Sequence, residues 1–491
     1  AVGPGYRTPR IPTPDHYDAS ANAPQEAGAP APPVDPASWW RALGDPELDS
    51  LIERAVADNP DLAVALDRLQ AARTFEAAVV GTVLPEAEAS AGAGRGTGSD
   101  LSRGRVSQAL HSADNATGLQ HLNEAGGFDA VWELDIFGKY RREIQAARYD
   151  AQAARAARDA VLVSVVADVA RAYVDLRGLQ VRAAVLNSSI AALRESLRIV
   201  SIRYERGITN ELDVPLATRE LGTLEAQAAP INARVQAAEY TIATLLGLYP
   251  EDLVQELSAA ALVPAVPAVV DAGLPPDLLR RRPDIRQAER ELAGATARIG
   301  IATANLFPSL ALTGAVGFQR QSLEGQPVLG EHIWSVGPAA LWPLLDFGAL
   351  DAQVELADLQ TRAQLVRYRQ TIQQAVREVD TSYALFTAEQ HSLARLGTAL
   401  TAAQRAVTLA NERYERGLTD FLNVVDAERS EYDLEEQYSQ AQVAAAEQFI
   451  ALYRSLGGGW ESYQKLPPIH RPEPAIIAMF QRTLSRRDPL K

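Results

Sequence analysis

The sequence predicts a mainly α-helical protein with two small blocks of β-strand, one plan built twice along a single chain. Three observations carry that expectation: a long gapless internal repeat, two proline-free stretches far longer than an ordinary helix, and four short segments whose apolar residues alternate at period two.

Arg203-Tyr204-Glu205-Arg206-Gly207 recurs as Arg413-Tyr414-Glu415-Arg416-Gly417, an offset of 210 residues. The same offset relates Trp132 to Trp342, Phe137 to Phe347, Gly138 to Gly348, Tyr173 to Tyr383 and Gly247 to Gly457. Upstream the offset becomes 223, taking Pro60-Asp61 to Pro283-Asp284 and Pro85 to Pro308, so the first copy holds 13 extra residues between Pro85 and Trp132. This is a tandem duplication of about 200 residues, not a short-period solenoid. The boundaries that follow are an N-terminal extended segment and short helix at 1–58, a first repeat at 59–247, a linker at 248–281, a second repeat at 282–457 and a tail at 458–491.

Within each copy the expected order is helix, strand, loop, strand, long helix, turn, long helix. Residues 60–81 and 283–304 have helical period. The next segments alternate. Leu310, Leu312, Val316 and Phe318 share one face, with Ser309, Ala311, Thr313 and Ala315 on the other. Phe128, Ala130, Trp132, Leu134 and Ile136 oppose Asp129, Glu133 and Asp135, while Ala87, Ala89, Ala91 and Ala93 oppose Glu86 and Glu88. Trp334, Val336, Ala340, Trp342 and Leu344 align in the fourth segment. An apolar outer face, a polar inner face and terminal aromatics fit a membrane barrel. The same pattern taken alone fits a soluble two-sheet domain better, and four strands cannot close a useful pore unless several chains share it. From Gly138 to about Arg203, and again from Gly348 to about Arg413, there is no proline. At about 1.5 Å per residue each stretch spans on the order of 100 Å and needs a bundle partner. Alanine-dense runs such as 151–157 permit close packing. Gly207 and Gly417 are expected to end these helices in the left-handed conformation. Residues 21–36, rich in Pro and Ala, are expected to run extended over the surface. The prolines of 249–276 are expected to mark a small side domain.

Composition narrows function. The net charge is −15 and the pI about 5.0, a poor match to nucleic acid. Cysteine is absent, which removes disulfides, thiolate metal sites and a Cys nucleophile. No apolar run reaches the roughly 18 residues of a spanning helix, so a membrane crossing would need a closed barrel. No signal-peptide pattern precedes Ala1, which reads as a mature terminus. The six His residues are scattered and lack metal-ligand spacing. Gly92, Gly94, Gly96 and Gly98 are not followed by a predicted helix, so they fail as a dinucleotide fingerprint and read as a flexible outer loop. The expectation is a protein without catalysis, cofactor or metal. A soluble coiled-coil scaffold accounts for the helices and the acidity, but not for alternating strands at matched places in both copies.

The chain resembles the outer-membrane factors of resistance–nodulation–division efflux systems, TolC-like channels, nearly end to end. The resemblance rests on Gly3-Pro4-Gly5-Tyr6, Trp39-Trp40, Trp132-Glu133-Leu134-Asp135-Ile136-Phe137-Gly138 and Leu279-Arg280-Arg281-Arg282-Pro283-Asp284. It rests further on Arg413-Tyr414-Glu415-Arg416-Gly417, Asp426-Ala427-Glu428-Arg429 and Tyr453-Arg454-Ser455-Leu456-Gly457-Gly458-Gly459. It implies a homotrimer in the outer membrane of a Gram-negative bacterium. Four strands per protomer would form one 12-strand barrel on a helical periplasmic barrel. Its implied partners are a periplasmic adaptor, an inner-membrane antiporter and lipid. It also implies a lipidated Cys immediately before residue 1. The Gly-Pro-Gly-Tyr start and the Leu-Arg-Arg-Arg-Pro-Asp segment favour the drug-efflux branch over the related type I secretion ducts. The resemblance places a periplasmic gate on Arg413, Tyr414 and Asp426, with Leu422 as an apolar constriction. Asp420 adds negative charge nearby. The hairpin tips Arg203, Tyr204, Gly207, Thr209, Gly417 and Thr419 are the implied adaptor contacts. The position equivalent to Asp426 in the first copy is Leu216, so the two hairpins are expected to act unequally. Glu86, Glu88, Glu133 and Asp135 are expected to face the lumen and to favour cations.

Overall fold

The structure, a computed structural model, describes residues 1–18, 34–98, 114–115, 120–267, 270, 275–323 and 326–463. Most of 21–36 and all of the tail beyond Tyr463 lie outside the described residues. After a 3-10 turn at Pro36–Leu43 come α1 (Pro46–Asp58), α2 (Pro60–Gly81), β1 (Glu86–Gly98), β2 (Gln120–Leu134), α3 (Lys139–Glu205) and α4 (Asp213–Leu245). The short α5 (Val254–Leu257) and α6 (Pro275–Arg281) lead to α7 (Pro283–Ala304), β3 (Ser309–Leu323), β4 (Gln326–Leu341), α8 (Ala349–Glu415) and α9 (Phe421–Ser455).

Local chemistry sets the boundaries. Asp45 accepts from the N–H groups of Glu47 and Leu48, and Asn59 from that of Leu62, each followed by a proline at the first helical position. The long helices α3 and α8, 67 residues each, both start after a left-handed glycine, Gly138 at φ 86° and Gly348 at φ 84°. Among the described residues no helix is long and apolar enough to cross a membrane.

The four long strands form one antiparallel sheet in the order β1-β2-β3-β4, and the two-residue strand Asp114–Asn115 pairs with the far end of β1. One face carries Phe128, Trp132, Val316, Phe318, Trp334 and Val336, all exposed. Asp129 and Thr313 lie on the other. The glycine series corrects a sequence expectation: Gly92, Gly94 and Gly96 are not a loop but strand residues, opposite Ala125, Asn123 and His121. Glycine is a weak strand former on its own, but a paired neighbour satisfies its backbone groups along the whole ladder.

The duplication is structural down to single contacts. Glu86 opposite Val131 in the first hairpin becomes Ser309 opposite Leu341 in the second, at the offsets 223 and 210. The Trp132 indole donates to the Val83 carbonyl (3.0 Å), and the Trp342 indole to that of Leu306 (3.2 Å). Asn59 donates to the Leu245 carbonyl (2.7 Å) as Arg282 does to that of Ser455 (2.8 Å).

Halfway along the helices lies the main core. Trp39 stacks on Tyr453 with ring centroids 5.8 Å apart and meets Phe449 edge-on, so the N-terminal segment is clamped on α9. Arg177 is fully buried there, paired with Glu47 (2.5 Å) and donating to the Ala259 carbonyl (2.7 Å); a buried guanidinium persists only when so satisfied. Leu253 and Leu257, at the start of the linker between the repeats, insert into the same core.

Candidate functional site at the hairpin tips

Both tips are built by the same turn. In the first, Gly207 (φ 68°) donates to the Tyr204 carbonyl (2.8 Å) and Ile208 to that of Arg203 (2.9 Å). In the second, Gly417 (φ 69°) donates to the Tyr414 carbonyl (3.0 Å) and Leu418 to that of Arg413 (2.9 Å). This is the paired closure that a left-handed glycine permits at a helix C-terminus, and it explains why the Arg-Tyr-Glu-Arg-Gly segment recurs. The loops then differ. The Thr209 hydroxyl bonds Asp213, whereas Thr419 accepts from the Asn423 amide (2.8 Å). Ile208, Leu212, Leu418 and Leu422 all stand exposed.

The candidate gate residues separate into two groups. Arg413, Asp420 and Asp426 are exposed with Leu422. Asp420 occupies the position before α9 without a side-chain cap bond. Asp426 begins the second turn, and among the described residues its carboxylate meets no partner in its own protomer. Tyr414 instead lies between the hairpins, packed with Val200, Ala217, Phe421, Val424 and Val425. The Arg203 guanidinium sits 4.6 Å over its ring, and the Phe421 ring centroid is 5.3 Å away. The Tyr414 hydroxyl is buried without a hydrogen-bond partner. The structure therefore brings Arg203 of one repeat onto Tyr414 of the other, whereas Tyr204 is exposed. The sequence contained the signal, because both residues sit in the repeated segment. Only the packing shows which Arg meets which Tyr.

Above the tips, the four long helices α3, α4, α8 and α9 enclose a groove lined by Glu220, Glu428, Glu431 and Glu435 with Arg429. Burial raises the pKa of Glu428 above the usual glutamate value; the Ser196 hydroxyl that donates to it (3.1 Å) offsets part of this, and the neighbouring Glu431 carboxylate raises it further. Burial likewise raises Glu431 and Glu435. Glu428, Glu431 and Glu435 share one face of α9, a spacing legible in the sequence, but only the packing shows that this face is turned inward toward Glu220 of the other repeat.

At the opposite end, Glu86 pairs across the sheet with Val131 and Glu88 with Asp129. Glu133 accepts from the Tyr140 hydroxyl (2.8 Å). Asp135 lies past the end of β2. It accepts from the N–H groups of Tyr140 (3.2 Å) and Arg141 (3.0 Å) and pairs with the Arg141 guanidinium (3.0 Å), so it caps α3. Among the described residues no cluster of His, Asp and Glu could hold a metal ion.

Comparison with known proteins agrees with this architecture. A profile described as "Outer membrane efflux protein" matches residues 51–248 and 274–458. Nodulation protein T of Rhizobium leguminosarum bv. trifolii is 28% identical over 466 residues, covering 94% of this chain and 95% of that one. The toluene efflux pump outer membrane protein TtgC of Pseudomonas putida is 30% identical over 474 residues, with 93% and 92% covered. The solved outer-membrane channel OprN superposes with a TM-score of 0.82 at 34% identity, over 94% of this chain and 99% of its own. The chain has the TolC-like fold of those channels. The profile meets the chain in two segments, one per repeat, and each segment holds one strand pair and one helical hairpin of the structure. With both halves accounted for, this protein belongs to the outer membrane efflux protein family, whose members are conduits rather than enzymes.

Proposed function

We propose that three copies of this chain form the exit duct of a tripartite efflux pump. The duct takes small molecules from a periplasmic adaptor and an inner-membrane antiporter to the exterior. One observation carries this reading: a sheet of four long strands with an exposed apolar face, its β4 edge and its β1 edge from Glu86 to Gly96 free among the described residues, continuous with helical hairpins about 100 Å long. Lipid leaves no backbone group unpaired, and four strands cannot close, so three protomers sharing twelve strands satisfy every edge. Glu88, Asp129 and Glu133 then face water in the lumen. The tips, farthest from the sheet, form the periplasmic mouth. Arg413, Asp426 and Asp420 with Leu422 hold it closed at rest, and the Ile208 and Leu418 ends meet the adaptor. Exposed charge pairs are individually weak, which suits a closure that threefold repetition must make and an adaptor must undo. A relative named for toluene efflux and another named for nodulation share the architecture, so cargo choice belongs to the inner-membrane partner.

A lipid on a Cys before residue 1 anchors the duct. Support comes from the first residues: the Val2 N–H donates to the Phe137 carbonyl (2.9 Å), and the Arg142 guanidinium holds the carbonyls of Val2 (3.1 Å) and Gly3 (3.0 Å). Ala1 is thereby fixed at the strand-to-helix junction, against Gly138.

Negative-stain electron microscopy of the detergent-purified protein tests the reading. Long threefold particles with a detergent belt at one end are expected. Short particles without a belt would give the molecule to the soluble scaffold instead.

A further inference from the structure

The chain is acidic, with 62 Asp and Glu against 47 Lys and Arg. One cavity has the opposite balance. It encloses about 1090 Å³ between the N-terminal segment, α3, α6 and α7. Arg10, Arg155, Arg280, Arg286 and Arg290 line it, and Glu289 is the one carboxylate among the described lining residues. These arginines come from four separate parts of the sequence, so only the tertiary fold gathers them. Like charges that share a cavity repel one another unless an anion enters.

The carboxylate present is already engaged. Glu289 is buried, accepts from the hydroxyls of Tyr6 (2.5 Å) and Thr8 (3.2 Å), and pairs with Arg290. Arg290 also donates to Gln152 (3.1 Å). Arg286 lies 5.0 Å over the Trp460 ring, a contact that uses the face of the guanidinium and leaves its edge donors open. Arg10, Arg155 and Arg280 form no ion pair among the described residues. The contrast with Arg282, two residues from Arg280, is direct. Arg282 pairs with Asp284 (2.6 Å) and Glu378 (2.8 Å) and donates to the Ser455 carbonyl (2.8 Å). Where this fold uses an arginine to hold itself together, it supplies the acceptors. Around this cavity it supplies three guanidinium forks and no acceptor for them.

The helices do not need these charges in order to form. At the repeat offsets of 223 and 210, the counterparts of Arg286, Arg290 and Arg155 are Ala63, Asp67 and Leu365. So α2 and α8 follow the same plan without a basic cluster, and the arginines belong to one copy alone.

We propose that this cavity is a binding site for a small soluble anion that carries three or more negative charges on carboxylate or phosphate groups. A guanidinium presents two parallel donors to either group, so Arg10, Arg155 and Arg280 match one oxyanion group each. The volume is at the upper limit of small-molecule pockets. Arg155 lies 17 residues along α3 from Gly138, about 25 Å at the helical rise, so a lipid headgroup at the end of the sheet does not reach it and the ligand is a solute. Once bound, the anion ties the N-terminal segment, through Arg10, to α3 and α6. All the lining residues belong to one chain, so the site is complete in a protomer and stands or falls independently of the trimeric duct.

The test is isothermal titration calorimetry of the full chain in detergent, at constant ionic strength, with citrate, tripolyphosphate and acetate as probes. Citrate or tripolyphosphate should bind saturably at one site per protomer, and acetate at least tenfold more weakly. Arg155→Gln/Arg280→Gln should weaken the multivalent anion at least tenfold. Arg234→Gln/Arg405→Gln removes the same charge from exposed positions outside the cavity and should leave the affinity unchanged. Circular dichroism on each variant checks that the helices are intact. Absence of saturable binding by both multivalent probes would overturn the site. So would equal affinity for acetate, or equal weakening by the two double variants, because each would mean that only the general charge of the surface is felt.

Discussion

Helices α3 and α8 have the same length and the same place in their repeats, yet 26 residues of α3 are buried against seven of α8. Ala146 and Ala156 of α3 are buried, while their counterparts Leu356 and Val366 are exposed. The larger apolar side chains thus sit on the helix that has less cover. α3 is surrounded by α1, α2, α7 and α9 of its own chain, and α8 lacks the equivalent of α7 on its outer side. On the trimeric reading proposed above, the chain makes one junction by itself, α3 against α7, and leaves the equivalent one, α8 against α2 of the next protomer, for a copy. On that reading the difference in burial follows from assembly, not from helix quality.

The comparison reverses at the tips, and that is the place to strain it first. There Tyr414 of α8 is the buried ring, 7% exposed, and Tyr204 of α3 the open one. Tyr414→Ala should cost the protomer about 3 kcal/mol of tip stability. The loss should appear as faster limited proteolysis near 414, with Tyr204→Ala unchanged in the same assay. Tyr414→Phe should be close to neutral, because it deletes a hydroxyl that has no partner. Next in size is the pair Gly300→Leu and Ala77→Leu. The first overpacks the internal junction by roughly 2 kcal/mol and should lower the thermal midpoint of every species. Ala77, the exposed repeat counterpart of Gly300 on α2, faces the next protomer on the trimeric reading, so the second should leave the helical circular dichroism of the protomer intact and reduce only the trimeric fraction.

A smaller contrast concerns Asp426 and its counterpart Leu216. Asp426→Ala should raise the resting conductance of the duct in planar bilayers severalfold, and Leu216→Ala should not. Equal effects would remove the asymmetry between hairpins. The smallest effect is titration of the acidic groove. Glu428 has its pKa raised above the usual 4.5, chiefly by burial, so its protonated form is the one the packed groove favours. The sign follows: packing is fully supported below about pH 4.5 and weakens as the pH rises through the raised value. Resting conductance should therefore be lower near pH 5 than near pH 7.5, and Glu428→Gln should flatten that dependence.

Sequence alone determined the duplication, the element order and the turns. Each of these is set locally or by counting: a proline at the first helical position, a left-handed glycine at each helix end, a period of two or of 3.6. It also located the tips, since Gly207 and Gly417 act within their own segments. Local pattern misjudged the glycine-rich second half of β1, because the bonds that hold that strand come from β2, some 30 residues away. Nor could pattern tell that Tyr414 is buried under Arg203 while Tyr204 and Arg413 stay open, or that Asp135 caps a helix instead of ending a strand. Those outcomes depend on which repeat lies against which, and identical segments carry no information about their neighbours. Tertiary structure decided them by placing unlike surroundings around like sequences.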